Sequence, residues 1–102
     1  MDIDSYCSVF DALADRNRLK IIDCLEDKEM SVSGITEELD LEQSKVSHHL
    51  KCLRNCGFVK RRKNGNKRIY SRRDDSIESI FSEVQNHIEN CGDRVNECSI
   101  CG

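Results

Sequence analysis

Residues 43–54 read Gln-Ser-Lys-Val-Ser-His-His-Leu-Lys-Cys-Leu-Arg, and this stretch decides the fold. At about 100° per residue, Val46, Leu50 and Leu53 fall on one side of a helix over residues 42–55. The opposite side carries small or basic hydrogen-bonding residues: Ser44, Ser47, His48 and Lys51. Such side chains suit phosphate oxygens and base edges. The first turn of a recognition helix usually enters the major groove, which adds Gln43, while His49 leans toward the core.

A glycine and a basic hairpin follow this helix. Gly57 is a typical helix-ending residue, because glycine tolerates a left-handed backbone. Two predicted strands, 58–62 and 67–72, flank the segment 63–66, whose Asn-Gly pair is a strong hairpin signal. The hairpin carries five candidate phosphate-binding residues: Arg61, Arg62, Lys63, Lys67 and Arg68. Arg72 and Arg73 either extend this surface or meet the acidic first turn of the next helix.

Four further helices are predicted from apolar spacing and capping residues. They cover residues 4–14, 15–25 with Asp15 as N-cap, a short helix from Ser31 or Ser33 to Leu39, and 74–90. The apolar residues that mark one face of each of these helices are Val9, Phe10, Leu13, Leu19, Ile22, Leu25, Ile35, Leu39, Ile77, Ile80, Phe81, Val84 and Ile88. Residues 26–30 are expected to form a turn. This order predicts a winged helix-turn-helix, mainly α with one β-hairpin, in which the hairpin is the wing.

The charge distribution supports a surface for a polyanion. The 102-residue chain is long enough for one small domain, and its net charge is −3. Residues 43–73 hold 11 of the 16 Lys and Arg residues, including Lys45, and no acidic residue, whereas both flanks are acidic. This pattern favours nucleic-acid binding, with a solvated basic face as the alternative. The acidic flanks argue against indiscriminate coating of nucleic acid.

The composition also indicates the cellular compartment and argues against an enzymatic activity. No apolar run approaches the roughly 20 residues that a membrane span needs, and the acidic start lacks a signal-peptide pattern. We therefore expect a cytoplasmic protein, in which seven cysteines suit metal or redox chemistry better than disulfides. Nothing in the sequence assembles a nucleophile, a base and an oxyanion site, so we do not expect an enzyme.

The cysteines divide into three groups. Cys52 and Cys56 are four residues apart on the recognition helix, so both thiols lie on one face beside the core stripe. Cys91, Cys98 and Cys101 lie in a polar segment, 91–102, which we treat as a tail after a domain over 1–90. Cys7 and Cys24 are isolated, and we expect Cys24 to be a small buried hydrophobe. Because a metal ion needs three or four ligands, the tail is the expected source of those that Cys52 and Cys56 lack.

Several motifs together resemble the ArsR/SmtB family of metal-responsive repressors. Residues 10–22, Phe-Asp-Ala-Leu-Ala-Asp-Arg-Asn-Arg-Leu-Lys-Ile-Ile, resemble the family's opening motif, and residues 43–54 resemble its recognition helix. Gly57-Phe58-Val59 and the wing are also similar, so the resemblance covers about residues 5–90. It implies a homodimeric repressor that binds operator DNA and leaves it when metal binds. The first and last helices would form the dimer interface.

Residues 50–57, Leu-Lys-Cys-Leu-Arg-Asn-Cys-Gly, resemble the cadmium/lead-sensing branch of this family. There, two cysteines of this helix join one cysteine of the C-terminal tail. By position the third ligand falls nearest Cys98, with Cys101 and Cys91 as alternates. An all-thiolate site favours Cd(II) or Pb(II), as well as As(III) or Bi(III), and Zn(II) if a fourth ligand joins.

Other readings of the cysteines stay open. Asp74 and His87 match only half of the family's zinc/cobalt site, since Ser76 and Asn90 occupy its other positions. Exposed cysteines with a low pKa near Arg and Lys would make a thiol-redox-responsive DNA-binding regulator. A tail zinc site without regulation would make an architectural DNA-binding module.

Overall fold

The computed structural model describes residues 1–92, in which five helices and two hairpin strands follow the predicted order and a further two-residue strand was not predicted. The helices are α1 (Ile3–Leu13), α2 (Arg16–Cys24), α3 (Val32–Leu39), α4 (Gln43–Asn55) and α5 (Ser76–Cys91). The strands are β1 (Met30–Ser31), β2 (Val59–Asn64) and β3 (Lys67–Arg72). Predicted boundaries therefore differ from the observed ones by two residues at most.

Side-chain caps fix where the first helices begin. The Asp15 carboxylate accepts hydrogen bonds from the backbone N–H groups of Asn17 and Arg18, at 2.9 and 3.1 Å, which confirms it as the N-cap of α2. Ser31 accepts from the backbone N–H of Gly34 at 3.1 Å, so Ser31 and not Ser33 caps α3. These bonds satisfy N–H groups that have no partner inside the first turn.

The core lies between the helices and the base of the sheet. Val46, Leu50 and Leu53 of α4 are fully buried, as predicted from the spacing of the apolar residues. They pack with buried residues of every other helix and of the hairpin: Ala12, Leu13, Ile21, Ile22, Leu25, Ile35, Phe58, Val59, Tyr70 and Ile77.

Three residues of the predicted apolar stripes lie at the surface of the single chain. Phe10, Leu19 and Val84 are 59%, 40% and 49% exposed, and Ile21 is buried in α2 where Leu19 was expected. Helical spacing alone places Leu19 beside Ile22, but the interior lies on the Ile21 side. The three exposed residues all line one groove, described below.

The sheet is antiparallel, with strand order β1-β3-β2. Asn64 pairs with Lys67, so Gly65 and Asn66 form a two-residue turn, and Gly65 has the positive φ of +66° that such a turn needs. The first wing strand thus ends at Asn64, two residues later than predicted. Residues 26–30 are not entirely a turn, because Met30 pairs with Tyr70 and Ser31 with Ile69.

Together, α3, α4 and the β2–β3 hairpin confirm the predicted winged helix-turn-helix. Within residues 1–92, no helix has the length and apolar character needed to cross a membrane.

Candidate nucleic-acid interface and thiol pair

The outward side of α4 is a continuous polar and basic surface. All six predicted DNA-binding residues of this helix are exposed: Gln43, Ser44, Lys45, Ser47, His48 and Lys51. The buried residue Val46 and its neighbours hold the opposite side of α4 against the core. The helix therefore presents hydrogen-bond donors and positive charge outward from a rigid base.

The wing extends this surface. Its five predicted phosphate-binding residues are also exposed: Arg61, Arg62, Lys63, Lys67 and Arg68. Arg62 Nε donates to Glu29 Oε2 at 2.8 Å, and this ion pair joins the wing to the segment before β1. The pairing raises the pKa of Arg62 and lowers the pKa of Glu29.

Arg72 belongs to the body of the domain and not to the polyanion surface. Its side chain is 9% exposed, and its Nη1 donates to Glu78 Oε1 at 2.7 Å. Nε and Nη2 donate to the carbonyl oxygen of Ile22, at 3.0 and 2.8 Å. Of the two roles considered for Arg72, contact with the acidic first turn of the last helix is therefore confirmed.

Cys52 and Cys56 are close neighbours at the end of α4. Cys52 is half-buried against the core, and Cys56, the C-cap residue, is exposed. The pKa of Cys56 is raised by partial burial, and further by the charge and hydrogen bonding of the Cys52 thiol. Two thiols on one edge of this helix supply two of the three or four ligands that a soft metal ion takes.

Further ligands are not assembled within the described chain. No group of three or more His, Cys, Asp or Glu side chains suited to a metal occurs among residues 1–92. Cys91, at the end of α5, lies 3.6 Å from His87 Nε2 and is not clustered with Cys52 and Cys56. Cys98 and Cys101 lie outside the described residues.

Two other expectations concern single residues. Cys24 is half-buried, its thiol donates to the carbonyl oxygen of Ile21 at 3.1 Å, and burial raises its pKa to about 11. Asp74 accepts from the backbone N–H of Ser76 at 2.9 Å, so its carboxylate serves the start of α5. The raised pKa values of Cys24 and Cys56 are the opposite of what the redox interpretation requires.

His49 faces the protein body, and sequence reasoning did not identify its partner. The half-buried ring accepts a hydrogen bond at Nδ1 from Arg18 Nε, at 3.2 Å. The only sequence signal was its position near the core edge of α4, since Arg18 is 31 residues away.

An apolar groove lies between α1, α2 and α5. Its volume is about 890 Å³, and its apolar lining consists of Phe10, Leu13, Ala14, Leu19, Ile80, Phe81 and Val84. On α1, Ile3 and Tyr6 add further exposed apolar surface. Contiguous apolar surface of this kind typically marks an interaction site.

A helix-turn-helix with an exposed polar recognition helix and a basic wing defines the winged helix-turn-helix class of proteins. Comparison with known proteins identifies a family within this class. Residues 15–61 match the family described as "Bacterial regulatory protein, arsR family". The chain is 34% identical over 80 residues to a transcriptional repressor SmtB homolog of Synechocystis sp., covering 78% of this chain and 61% of that protein.

Two further relatives are also described as transcriptional regulators. The transcriptional regulator NmtR of Mycobacterium tuberculosis is 35% identical over 82 residues, covering 80% of this chain and 68% of that protein. A cadmium resistance transcriptional regulatory protein, a CadC homolog of Staphylococcus aureus, is 32% identical over 80 residues, covering 78% and 66%. The chain thus spans between 61% and 68% of the length of these relatives.

Solved structures show the same fold. Rv0081 of M. tuberculosis matches with a TM-score of 0.79 at 29% identity, covering 88% of this chain and 92% of that one. A homodimeric winged helix-turn-helix DNA-binding domain from Mycobacterium bovis matches with a TM-score of 0.78 at 26% identity, covering 90% and 85%. The chain belongs to the arsR family of bacterial regulatory proteins. At the level of the family, this confirms the expectation of a regulator and not an enzyme.

Proposed function

We propose that this protein is a homodimeric transcriptional repressor that binds operator DNA and is released by a thiophilic metal ion. The observation that carries the proposal is that all eleven predicted DNA-binding residues, on the outer side of α4 and on the wing, are exposed. A protein with this role acts in the cytoplasm, the compartment that the sequence predicts.

The two parts of this surface have different tasks. Gln43, Ser44 and the outward residues of α4 enter the major groove, where side-chain amides and hydroxyls reach base edges. The Arg and Lys side chains of the wing neutralise phosphates, which makes binding strong and salt-dependent without reading much sequence.

A second copy of the chain covers the groove between α1 and α5. Burial of exposed Phe10 and Val84 supplies the apolar contact that a dimer needs. Two-fold symmetry then presents two α4 helices to half-sites about 34–36 Å apart, or a multiple of that spacing. The homodimeric state of the M. bovis domain supports this arrangement.

The proposed metal ligands are Cys52, Cys56 and a thiol of the tail, with Cys98 as the first choice and Cys101 or Cys91 as alternates. Thiolates select soft ions, so Cd(II) or Pb(II) is the expected effector, with As(III), Bi(III) and Zn(II) as further candidates. The cadmium resistance relative supports this choice. Because the pKa of Cys56 is raised, binding must displace a proton, and metal affinity should rise with pH.

Metal and DNA oppose each other in this mechanism. Drawing Cys52 and Cys56 toward the tail displaces α4, the helix that also carries the DNA-reading residues. By thermodynamic linkage, a metal that weakens DNA binding by a given factor is itself bound more weakly, by the same factor, in the DNA complex.

The test begins with a duplex selected by the reduced protein from a random DNA library. Cd(II) is then titrated anaerobically while thiolate-to-metal charge transfer is followed in the ultraviolet and duplex affinity by fluorescence anisotropy. We expect saturation near one ion per subunit, together with weakened DNA binding. The Cys52→Ser/Cys56→Ser variant should bind DNA and ignore Cd(II). The matched control is Cys24→Ala, because the Cys24 thiol is protonated and bonded to its own helix.

Three outcomes would contradict the proposal. If the double variant still released DNA on addition of Cd(II), the assigned thiols would be wrong. A charge-transfer band with unchanged DNA affinity would indicate a structural site. Release by peroxide without metal, reversed by a reductant, would indicate the redox regulator.

A further inference from the structure

Arg18 connects two helices that have different tasks in the proposed function. It lies on α2, and its Nε donates to His49 Nδ1 on α4 at 3.2 Å. Its Nη1 donates to the carbonyl oxygens of Asp11 and Ala12, at 3.2 and 3.4 Å, in the last turn of α1. One guanidinium thus joins the recognition helix to the end of the helix that carries exposed Phe10.

The hydrogen bonds that Arg18 makes to α1 and to α4 both have a chemical basis. The last carbonyl groups of a helix have no N–H partner inside the helix, and a cation near them also complements the helix dipole. The planar guanidinium offers several N–H groups in fixed directions, so it can serve both ends at once. Asp15 accepts from the backbone N–H of Arg18, which fixes the base of the side chain at the start of α2.

The connection requires neutral His49. A ring nitrogen that accepts a hydrogen bond carries no proton, so the contact with Arg18 specifies the tautomer protonated at Nε2. Among residues 1–92, the charged or titratable groups that face the ring are Asp15 at the start of α2, Arg18 on α2, and Lys45 and His48 on α4. Partial burial lowers the pKa of His49; Arg18, His48 and Lys45 act in the same direction, and Asp15 opposes them. Protonation at Nδ1 would place two cations in contact and break the hydrogen bond.

We infer that Arg18 is a positioning residue, which holds α4 at a fixed angle to α1 through neutral His49. This inference rests on the proposed DNA binding and dimerisation. Two α4 helices fit two half-sites only if each is held at a set angle to the α1 and α5 surface that faces the second copy. Loss of the Arg18–His49 bond leaves the core stripe of α4 in place but loosens that angle. DNA binding should therefore weaken without unfolding.

Two variants and one control distinguish positioning by Arg18 from the mere loss of one positive charge. Arg18→Gln removes the guanidinium, and we expect affinity for the selected duplex to fall about tenfold at pH 7.5. His49→Gln keeps an acceptor oxygen but cannot be protonated, so its affinity should stay within about threefold of wild type. Lys28→Gln is the matched control for a lost positive charge, since Lys28 pairs with Glu38 at 3.1 Å and not with α4. It should show the affinity and the pH profile of the wild-type protein.

The pH profile is the readout that a purely structural role would not change. The Arg18–His49 bond is intact above the pKa of His49 and is lost as the pH falls through it. From pH 7.5 to 5.5, wild type should therefore lose at least about threefold more affinity than His49→Gln. Both proteins contain His48, so the two differ only at His49.

Histidine NMR tests the connection without DNA. Wild-type His49 should show the Nε2-protonated tautomer, and Arg18→Gln should raise the pKa of His49 by removing a neighbouring cation. If wild type selects no duplex, the proposed function fails while the NMR result still decides whether the bond exists. Equal duplex affinity of Arg18→Gln and wild type would overturn the inference. So would tighter binding of wild type, relative to His49→Gln, on acidification, because His49 would then act as a cation toward DNA.

Discussion

Removing the carboxylate of Glu29 should strengthen DNA binding, although Glu29 lies outside the proposed interface. Glu29 holds Arg62 of the wing at 2.8 Å, and both side chains are about half exposed. If Arg62 binds phosphate in the complex, it must first leave Glu29. The carboxylate also repels the phosphates of the approaching duplex. Glu29→Gln keeps the size of the side chain but removes both the ion pair that must be broken and the repulsion between carboxylate and phosphate.

The size of the effect follows from the exposure of the pair. An ion pair between exposed side chains shifts an equilibrium by a factor of about 1.4 to 5. We therefore expect Glu29→Gln to bind the selected duplex about two- to fivefold more tightly at low salt. The number of phosphate contacts is unchanged, so the slope of log Kd against log salt should stay that of wild type. Arg62→Gln should instead reduce the slope by about 0.9.

Fluorescence anisotropy over a salt series measures both quantities. Glu38→Gln is the matched control, because Glu38 makes an equally exposed ion pair with Lys28 at 3.1 Å, away from the wing. In an Arg62→Gln background, Glu29→Gln should gain less than in wild type. An unchanged or weaker affinity for Glu29→Gln would refute the reasoning, as would an equal gain for Glu38→Gln.

Three further predictions concern single residues of the body. Asp15→Ala should lower the free energy of unfolding by about 1 kcal/mol, whereas Asp15→Asn keeps the cap. Because the hydrogen bonds of Asp15 lower its pKa, its contribution is present above pH 4 and should be lost in acid urea titrations as the pH falls through the lowered value. Arg72→Met should cost about 2–3 kcal/mol in urea unfolding, because it removes two hydrogen bonds to Ile22, whereas exposed Glu78→Gln should cost less than about 1 kcal/mol. At pH 8, Cys24 should react slowly with iodoacetamide, as followed by mass spectrometry, because a pKa of about 11 leaves roughly one thiol in a thousand ionised.

Features governed by local periodicity were predictable from the sequence. The stripe of Val46, Leu50 and Leu53 fixed the orientation of α4, and the exposed residues opposite it followed from the same geometry. The Asn-Gly pair located the hairpin, and Asp15 located the start of α2. In each case the controlling residues lie within a few positions of one another.

Features that depend on distant partners were not predictable in the same way. The two residues of β1 are too few to show a strand period, and they pair with Ile69 and Tyr70 only in the folded chain. Leu19 was expected in the core because its spacing suits a stripe, yet α2 turns it toward a groove between helices. The contact of Glu29 with Arg62 joins residues 33 positions apart, and no single-sequence pattern encodes it.

The placement of Cys52 and Cys56 gives the proposed mechanism a short path from metal to DNA. The two thiols lie at the C-terminal end of the helix that carries the proposed DNA-binding residues, beside its fully buried stripe of Leu50 and Leu53. A close-packed core deforms little, so force on the thiols would move α4 as a unit. Arg18 adds a second connection at the same place. Burial raises the pKa of Cys56 most, Cys52 raises it further, and the charge of Arg18 lowers it. The Arg18 guanidinium that donates to His49 therefore also acts on Cys56, a proposed metal ligand. Negative charge gained by the thiolates would attract Arg18, the residue proposed to set the angle of α4.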